Sequence, residues 1–336
     1  MADLFVPDNH APDVPVYAPV PDADAQRLRR WLRRHYGGVF SGREQVLALT
    51  GANINSSNFR VGDYYVKTLT QRASVDYVDS FPEIAARLRA GGVPCAEFVS
   101  NAEHAGVSRV EEGGATHFLY AQRFIDAHYF RGAPEEVDAL LPLLVPMSGA
   151  LAAQSPTPGQ REPYASLDLR STQEAVAAEL PARPADPFGL NAVAALPEAM
   201  EIATEFEGLR PQLDFSRLHH FDLHPHNVLL QGGHAVAILD LESFRALPFE
   251  ISVAFTLFKL GRKAVASGAL SAAQFKARAA AHFDLGRLAR YARIELARRI
   301  TAVLSLHYLH DNRDWDPDLV KHLRGLREAQ QLFGTG

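Results

Sequence analysis

The sequence predicts an α+β fold in two lobes, a small β-rich lobe followed by a larger helical one, and three observations predict it. Residues 46–69 fall into short β-prone pieces, VLALTG, NFRV and YYVKTL, broken at Gly62-Asp63, which is the pattern of strands joined by a tight turn. After Asp126 the chain becomes rich in alanine and leucine, with apolar positions recurring at helical spacing. Within that helical part only residues 216–240 read as strands again, and they carry a dense cluster of His, Asp and Asn.

Residues 1–22 hold five prolines and no hydrophobic periodicity, so they are expected to form a loose arm or a strip along the surface. Helix begins near Asp24, and in RLRRWLRR (27–34) Leu28, Trp31 and Leu32 make one apolar stripe among arginines, the mark of an amphipathic surface helix. After the hairpin around Gly62, a helix is expected with Ser80-Phe81-Pro82-Glu83 as a capping box and Gly91-Gly92 as its stop. CAEFVS (95–100) and THFLYAQRFI (116–125) read as two more strands. Helices follow around 134–153, 171–180, 190–209, 250–267, 271–282 and 286–310, with proline-rich breaks at 156–163 and 181–187. The expected organisation is an arm (1–23), a small lobe (24–125) and a helical lobe (126–336), with a hinge near 122–126 and a cleft between the lobes.

A chain of 336 residues that is 47% apolar can bury a substantial core. No run approaches the roughly 18 apolar residues of a membrane span, and the N-terminus lacks a basic-then-apolar export signal; a soluble, cytoplasmic protein is expected. The single cysteine, Cys95, excludes an internal disulfide and a thiolate metal cage. A net charge of −5 argues against a general nucleic-acid binder while leaving room for a nucleotide-sized ligand.

The chemistry concentrates in HFDLHPHN (220–227) and in the apolar run that ends at Asp240-Leu241-Glu242. A loop followed by a hairpin would bring two carboxylates to one place, the layout of a metal-dependent phosphoryl-transfer centre. Asp222 is the candidate catalytic group, a carboxylate that orients an acceptor hydroxyl and takes its proton late. Asn227 and Asp240 offer the hard oxygen ligands that magnesium prefers, and His220 is expected to brace the loop. The spacing His-x-Asp-x4-Asn should arise by chance on the order of 0.02 times in a chain of this length. A transition-metal site built on His220, Asp222, His224 and His226 is the rival reading, but Pro225 interrupts the extended geometry that it needs.

Lys67 is the second candidate. The chain has five lysines, and Lys67 is the only one before Lys259. A compact ammonium in mid-strand suits nucleotide phosphates. Glu83 on the following helix is its expected partner, although Arg87 stands four residues on as a competing one. The glycine-poor stretch GANINSSNF (51–59) lies between two strands, where a phosphate-covering loop is expected, and its Ser56, Ser57 and Asn58 offer hydroxyl and amide donors to phosphates.

HFDLHPHN with ILDLES (238–243) resembles the aminoglycoside phosphotransferase and choline kinase superfamily, the small-molecule branch of the protein-kinase-like fold. The resemblance extends over about residues 45–310 and includes YYVKT, PEIAARLRAGGVPCAEFV, YAQRFIDA and FEISVAFTLFKLGR. It implies a bilobal fold with the nucleotide base at the backbone of Arg123 and Ile125. It also implies Asp222 as catalytic base, Asn227 and Asp240 as magnesium ligands, and Lys67 on phosphate. Phe221 and the Asp-Leu-Glu sequence depart from the commonest pattern; Glu242 is open to a metal, a cationic substrate or a structural arginine, and with His224 it is assigned to the acceptor side. The expected function is transfer of the γ-phosphoryl group of ATP, or of GTP, with Mg2+, to a hydroxyl of an aminoglycoside, sugar or amino alcohol. A non-catalytic nucleotide-binding module is the alternative. Acids such as Asp126, Glu242 and Glu250 would favour a cationic amine, and the sequence leaves the oligomeric state open.

Overall fold

The computed structural model describes residues 5, 12–50, 56–70, 75–161, 168–180 and 186–334. Strand β1 (Tyr17–Pro19) precedes helix α1 (Asp22–Tyr36), and β2 (Val46–Leu49), β3 (Ser56–Val61) and β4 (Tyr64–Thr70) follow. Helices α2 (Val75–Asp79) and α3 (Phe81–Ala90) then lead to β5 (Val107–Glu112) and β6 (Ala115–Arg123). These six strands form one antiparallel sheet in the order β1-β2-β3-β4-β6-β5. Alternation along β4 and β6 sorts the side chains between two faces. Val66, Leu119 and Ala121 pack with Leu28, Trp31, Leu32 and Tyr36 of α1 on one face. Leu69, Phe118 and Tyr120 join Phe81, Ile84 and Leu88 of α3 on the other.

The sheet differs from expectation at both edges. Tyr17, Ala18 and Pro19 pair with Leu49, Ala48 and Leu47, so the proline-rich start contributes an edge strand, where a missing N–H is tolerated. CAEFVS is reduced to a single bridge, Phe98 to Gln122, because β5 occupies the rest of the β6 edge, from Ala115 to Tyr120. The capping box is also absent: α2 runs almost directly into α3, Ser80 is itself helical, and its hydroxyl donates to the Tyr77 carbonyl at 2.6 Å.

From β6 the chain passes to β7 (His128–Tyr129), then α4 (Pro134–Leu140), α5 (Leu144–Ala150), α6 (Pro158–Arg161), α7 (Leu169–Glu179) and α8 (Pro187–Leu209). Strands β8 (Leu218–His220), β9 (Val228–Gln231), β10 (His234–Ile238) and β11 (Phe244–Ala246) are followed by α9 (Phe249–Ala266), α10 (Ala272–Ala280), α11 (Leu285–His310) and α12 (Asp316–Phe333). The strands form two small antiparallel sheets, β10-β9-β7 and β11-β8, so this part of the chain has more strand than residues 216–240 alone. Helix α11 packs against α7, α8, α9 and α12. One apolar cluster runs from α3 and the inner sheet face through Phe244, Phe255 and Phe258 to Leu326 and Phe333, giving the loops at its rim a rigid base. No described helix is long and apolar enough to cross a membrane.

After β7 the chain packs tightly against α9 at Gly132. Its φ is +90°, and an added Cβ would lie 2.4 Å from the Cα of Ala264 in α9. The Glu136 carboxylate fixes the same turn, accepting from the N–H groups of Arg131 and Gly132 at 2.7 and 2.9 Å. Gly132→Ala therefore combines a left-handed backbone with a clash against main chain and should destabilise by about 2–4 kcal/mol. A lowered urea midpoint with an unchanged slope is the expected result of equilibrium unfolding.

Candidate active site

Between β4, β6, the loop after β8 and the helices α9, α11 and α12 lies a cavity of about 860 Å³, within the range of ligand pockets. Lys67, Asn58, Arg123, Ile125, Asp222, His224, Asn227 and Asp240 all line it. Residues from eight sequence positions spread over 183 residues of chain thus meet in one cleft.

The loop at 221–227 is held by backbone hydrogen bonds together with the side chains of His220 and Asn227. His220 Nδ1 accepts from the Asp222 N–H at 3.2 Å, so its proton sits on Nε2, which donates to the Leu239 carbonyl at 3.1 Å. Burial lowers the His220 pKa, in keeping with that neutral tautomer. The Asp222 carbonyl accepts from the His224 N–H at 3.0 Å and from the Asn227 amide Nδ2 at 2.9 Å. With its nitrogen committed, Asn227 has its oxygen left to offer a cation. The Leu239 N–H donates to the Asn227 carbonyl at 2.9 Å, continuing the β9-β10 pairing so that Asn227 and Asp240 end adjacent strands side by side.

The Asp222 carboxylate receives Arg299 Nη2 at 3.2 Å. Burial opposes ionisation, but Arg299, His224 and Lys259 outweigh it and hold the carboxyl down at about 2. Arg299 is itself fixed by Glu295 at 2.8 Å and lies over the Phe255 ring at 4.3 Å. His224 Nδ1 accepts from the His226 N–H at 3.2 Å, and burial takes its pKa down to about 4. The alternating-histidine metal site does not form: residues 225–227 turn, and no group of three or more His, Cys, Asp or Glu among the described residues could hold a metal.

Lys67 is in an interior strand of the sheet and is 6% exposed. Its partner is Glu242, in direct ion-pair contact, with Asp240 Oδ1 at 3.4 Å. Burial works against the Lys67 ammonium, but Glu242 and the other nearby groups more than reverse this and raise its pKa well above the ordinary lysine value. Burial pushes the Glu242 carboxyl up to about 7 against the pull of Lys67. Asp240 has a left-handed backbone, φ +59°, and accepts from the Ser243 hydroxyl. Burial opposes its ionisation, yet Lys67 and hydrogen bonds from Glu242 and Ser243 hold its pKa well below the ordinary value. Tyr77 anchors the same turn by donating to the Glu242 carbonyl, and Arg245 lies over the Tyr77 ring at 4.3 Å.

Three expectations are corrected here. Glu83 is on the exposed face of α3, paired with Arg87 at 2.8 Å, and so does not meet Lys67. Glu242 faces Lys67 and Asp240 from a buried position rather than the acceptor. Ser56, Ser57 and Asn58 belong to β3, opposite Leu69, Thr68 and Lys67, rather than to a loop. Asn58 lines the cavity and accepts from the Tyr65 hydroxyl at 2.6 Å, whereas Ser57 is exposed. Residues 51–55 lie outside the described residues. Sequence reasoning missed Arg299, which carries no local signal, and Lys259, which the scarcity of lysine could have marked.

The fold is that of kinase-like phosphotransferases. The family model described as "Phosphotransferase enzyme family" matches residues 46–291, and the chain belongs to that family. Among solved structures the chain is similar to the amicoumacin kinase hAmiN in complex with AMP-PNP, Ca2+ and Ami. The TM-score is 0.63 at 15% identity, covering 91% of this chain and 93% of that one. Spectinomycin phosphotransferase APH(9)-Ia, in complex with ADP and spectinomycin, gives 0.59 at 14% identity, covering 92% and 97%. An aminoglycoside phosphotransferase from Alicyclobacillus acidocaldarius subsp. acidocaldarius DSM 446 gives 0.56 at 16% identity, covering 97% and 96%. These similarities establish a shared fold. Comparison with curated proteins finds no match.

The buried histidines set a pH dependence. Burial lowers His219 and His224 to about 4, below the roughly 6.5 of an unfolded histidine. The unfolded chain therefore binds more protons between these values, so stability is full above about pH 6.5 and is lost as pH falls towards 4. Each histidine should contribute on the order of 1–3 kcal/mol to that loss. Denaturant midpoints measured from pH 4 to 8 should fall steadily below about 6.5, with a shallower slope in His219→Asn.

Proposed function

We propose that the protein transfers the γ-phosphoryl group of ATP, with magnesium, to a hydroxyl of a small molecule. The observation that carries this is the convergence of Lys67, Asp222, Asn227 and Asp240 on one cavity between the sheet and the helices. In this reading residues 24–125 bind nucleotide, residues 126–336 carry the catalytic loop and acceptor site, and the base lies against the strand end at Arg123 and Ile125. The nucleotide complexes of hAmiN and APH(9)-Ia, in chains of the same fold, support ATP as the donor.

Asp222 is the catalytic residue. A carboxyl held at about 2 is a weak base, suited to orienting the hydroxyl and accepting its proton only once the new P–O bond is well advanced. Lys67 binds phosphate oxygens, with Glu242 keeping the ammonium in place. Asn227 and Asp240 fit a hard divalent cation. One ammonium faces Asp240 and Glu242, and burial lifts the Glu242 carboxyl to about 7, so Asp240 carries the fixed negative charge of the cluster. Magnesium held by Asn227 and Asp240 would add positive charge there and screen the phosphates. Attack is in line from the hydroxyl oxygen, the γ-phosphorus to β–γ bridging oxygen bond breaks, and the electron pair leaves with ADP.

Asp222→Asn should lower kcat by at least about 10³-fold while ATP still binds, as read by calorimetry and phosphorylation assay. Retained turnover would remove Asp222 as the catalytic group. Asp240→Ala should weaken magnesium-dependent ATP binding by at least about tenfold, a loss of roughly 1.4 kcal/mol. An unchanged affinity would remove the metal role.

A further inference from the structure

We infer that the acceptor carries an anionic group, a carboxylate or a phosphate, in addition to the hydroxyl that is phosphorylated. This deepens the kinase reading above and rests on it. The observation is the distribution of charge around the cavity. Four of the chain's five lysines line it: Lys67 on the sheet, and Lys259, Lys263 and Lys321 on the helical side.

Lys259, Arg262 and Lys263 recur at i, i+3 and i+4 on α9, which puts them on one face of that helix. Lys321 stands on α12, and Arg299 reaches in from α11. On this side of the cavity the lining carboxylates are Asp222 and Asp318. Five cations and two carboxylates line this side, while the other acids paired with these cations, Glu295, Glu328 and Asp13, are outside the lining, so the heads that meet a ligand here are mostly cationic.

The acids that hold this wall stand behind it or at its margin. Arg262 meets Glu328 at 2.9 Å in a pair that is almost wholly buried, and Glu295 fixes Arg299 from behind. Lys321 is 3.7 Å from Asp318, and Lys263 meets Asp13, a half-exposed residue of the N-terminal strip, at 2.7 Å. Such pairs orient the cationic heads without filling the cavity, and an incoming carboxylate or phosphate can displace an exposed partner such as Asp13.

The acids expected to attract an amine are elsewhere. Glu250 pairs with Arg287 at 2.8 Å, Glu242 is taken by Lys67, and Asp126 is absent from the lining. A polycationic acceptor would bring its ammonium groups against Lys259, Lys263 and Lys321, a like-charge arrangement that rejects it. An acceptor with a carboxylate or phosphate one side of its hydroxyl would place the anion on α9 and α12 and the hydroxyl at Asp222.

The test is substrate-dependent ADP release by the full chain with Mg–ATP and a panel graded by charge. The cationic members are aminoglycosides and choline, the neutral ones free sugars and glycerol, and the anionic ones hydroxy acids, hydroxy amino acids and sugar phosphates. Release should be confined to, or at least tenfold faster with, anionic members, and the carboxylates and phosphates among them distinguish the two anions. With the best acceptor, Lys263→Glu and Lys321→Glu, both partly exposed positions, should raise the acceptor KM at least ten times more than the ATP KM. Release driven best by cationic or neutral members overturns the inference, as does the absence of release with any anionic member while Mg–ATP still binds. A larger rise in the ATP KM than in the acceptor KM would also overturn it, by assigning the basic wall to the nucleotide. Loss of Mg–ATP binding in the wild-type chain would instead remove the kinase reading beneath it.

Discussion

A buried ammonium cannot stand alone, and the site is organised around that constraint. Lys67 projects from an interior strand into the cleft at 6% exposure, where an uncompensated charge would cost several kcal/mol. The compensation comes from 173 and 175 residues further along the chain, from Asp240 and Glu242. Strand β4, which carries Lys67, and the turn that carries Asp240 and Glu242 are thus fixed to each other by one ion cluster. The left-handed backbone of Asp240, its bond from Ser243 and the Tyr77 contact to Glu242 are the local means by which the turn reaches the lysine.

Around that cluster the chain uses backbone rather than long side chains for precision. The loop from Phe221 to Asn227 is pinned through main-chain groups to Ser243, Leu239 and Phe130, and the apolar core beneath it is continuous with α9 and α11. Charged side chains then reach inward from those helices. Arg299 holds Asp222 ionised, while the cations of α9 and α12 define the far wall. In the proposed reading catalytic groups lie on the rigid loop and acceptor-binding groups on helix faces, a division that would let acceptor preference vary without disturbing the chemistry.

How much of this was legible in the sequence follows from how local each signal is. Asp222, Asn227 and Asp240 were readable because loop spacing and strand pattern place them within about 20 residues of one another. Lys67 stood out because the chain otherwise prefers arginine. Its partner was misread because Glu83 and Glu242 are both carboxylates and only tertiary packing decides between them; α3 buries Phe81, Ile84, Ala85 and Leu88 and leaves Glu83 outward beside Arg87. Strand β5 was missed because its alternation is interrupted by charged residues in VSRVEE. Helix α12 escaped notice although it carries Lys321 and His322 into the cavity. The cations on the helical side of the cavity come from three helices, so no sequence window contains them all.

The most direct test is a pair of double-mutant cycles on unfolding free energy, Lys67→Met with Glu242→Gln and Lys67→Met with Glu83→Gln. The Lys67–Glu242 pair should show a coupling of about 1.5–3 kcal/mol and the Lys67–Glu83 pair less than about 0.5 kcal/mol. Additive effects at Glu242, or a coupling transferred to Glu83, would contradict the arrangement on which the site depends.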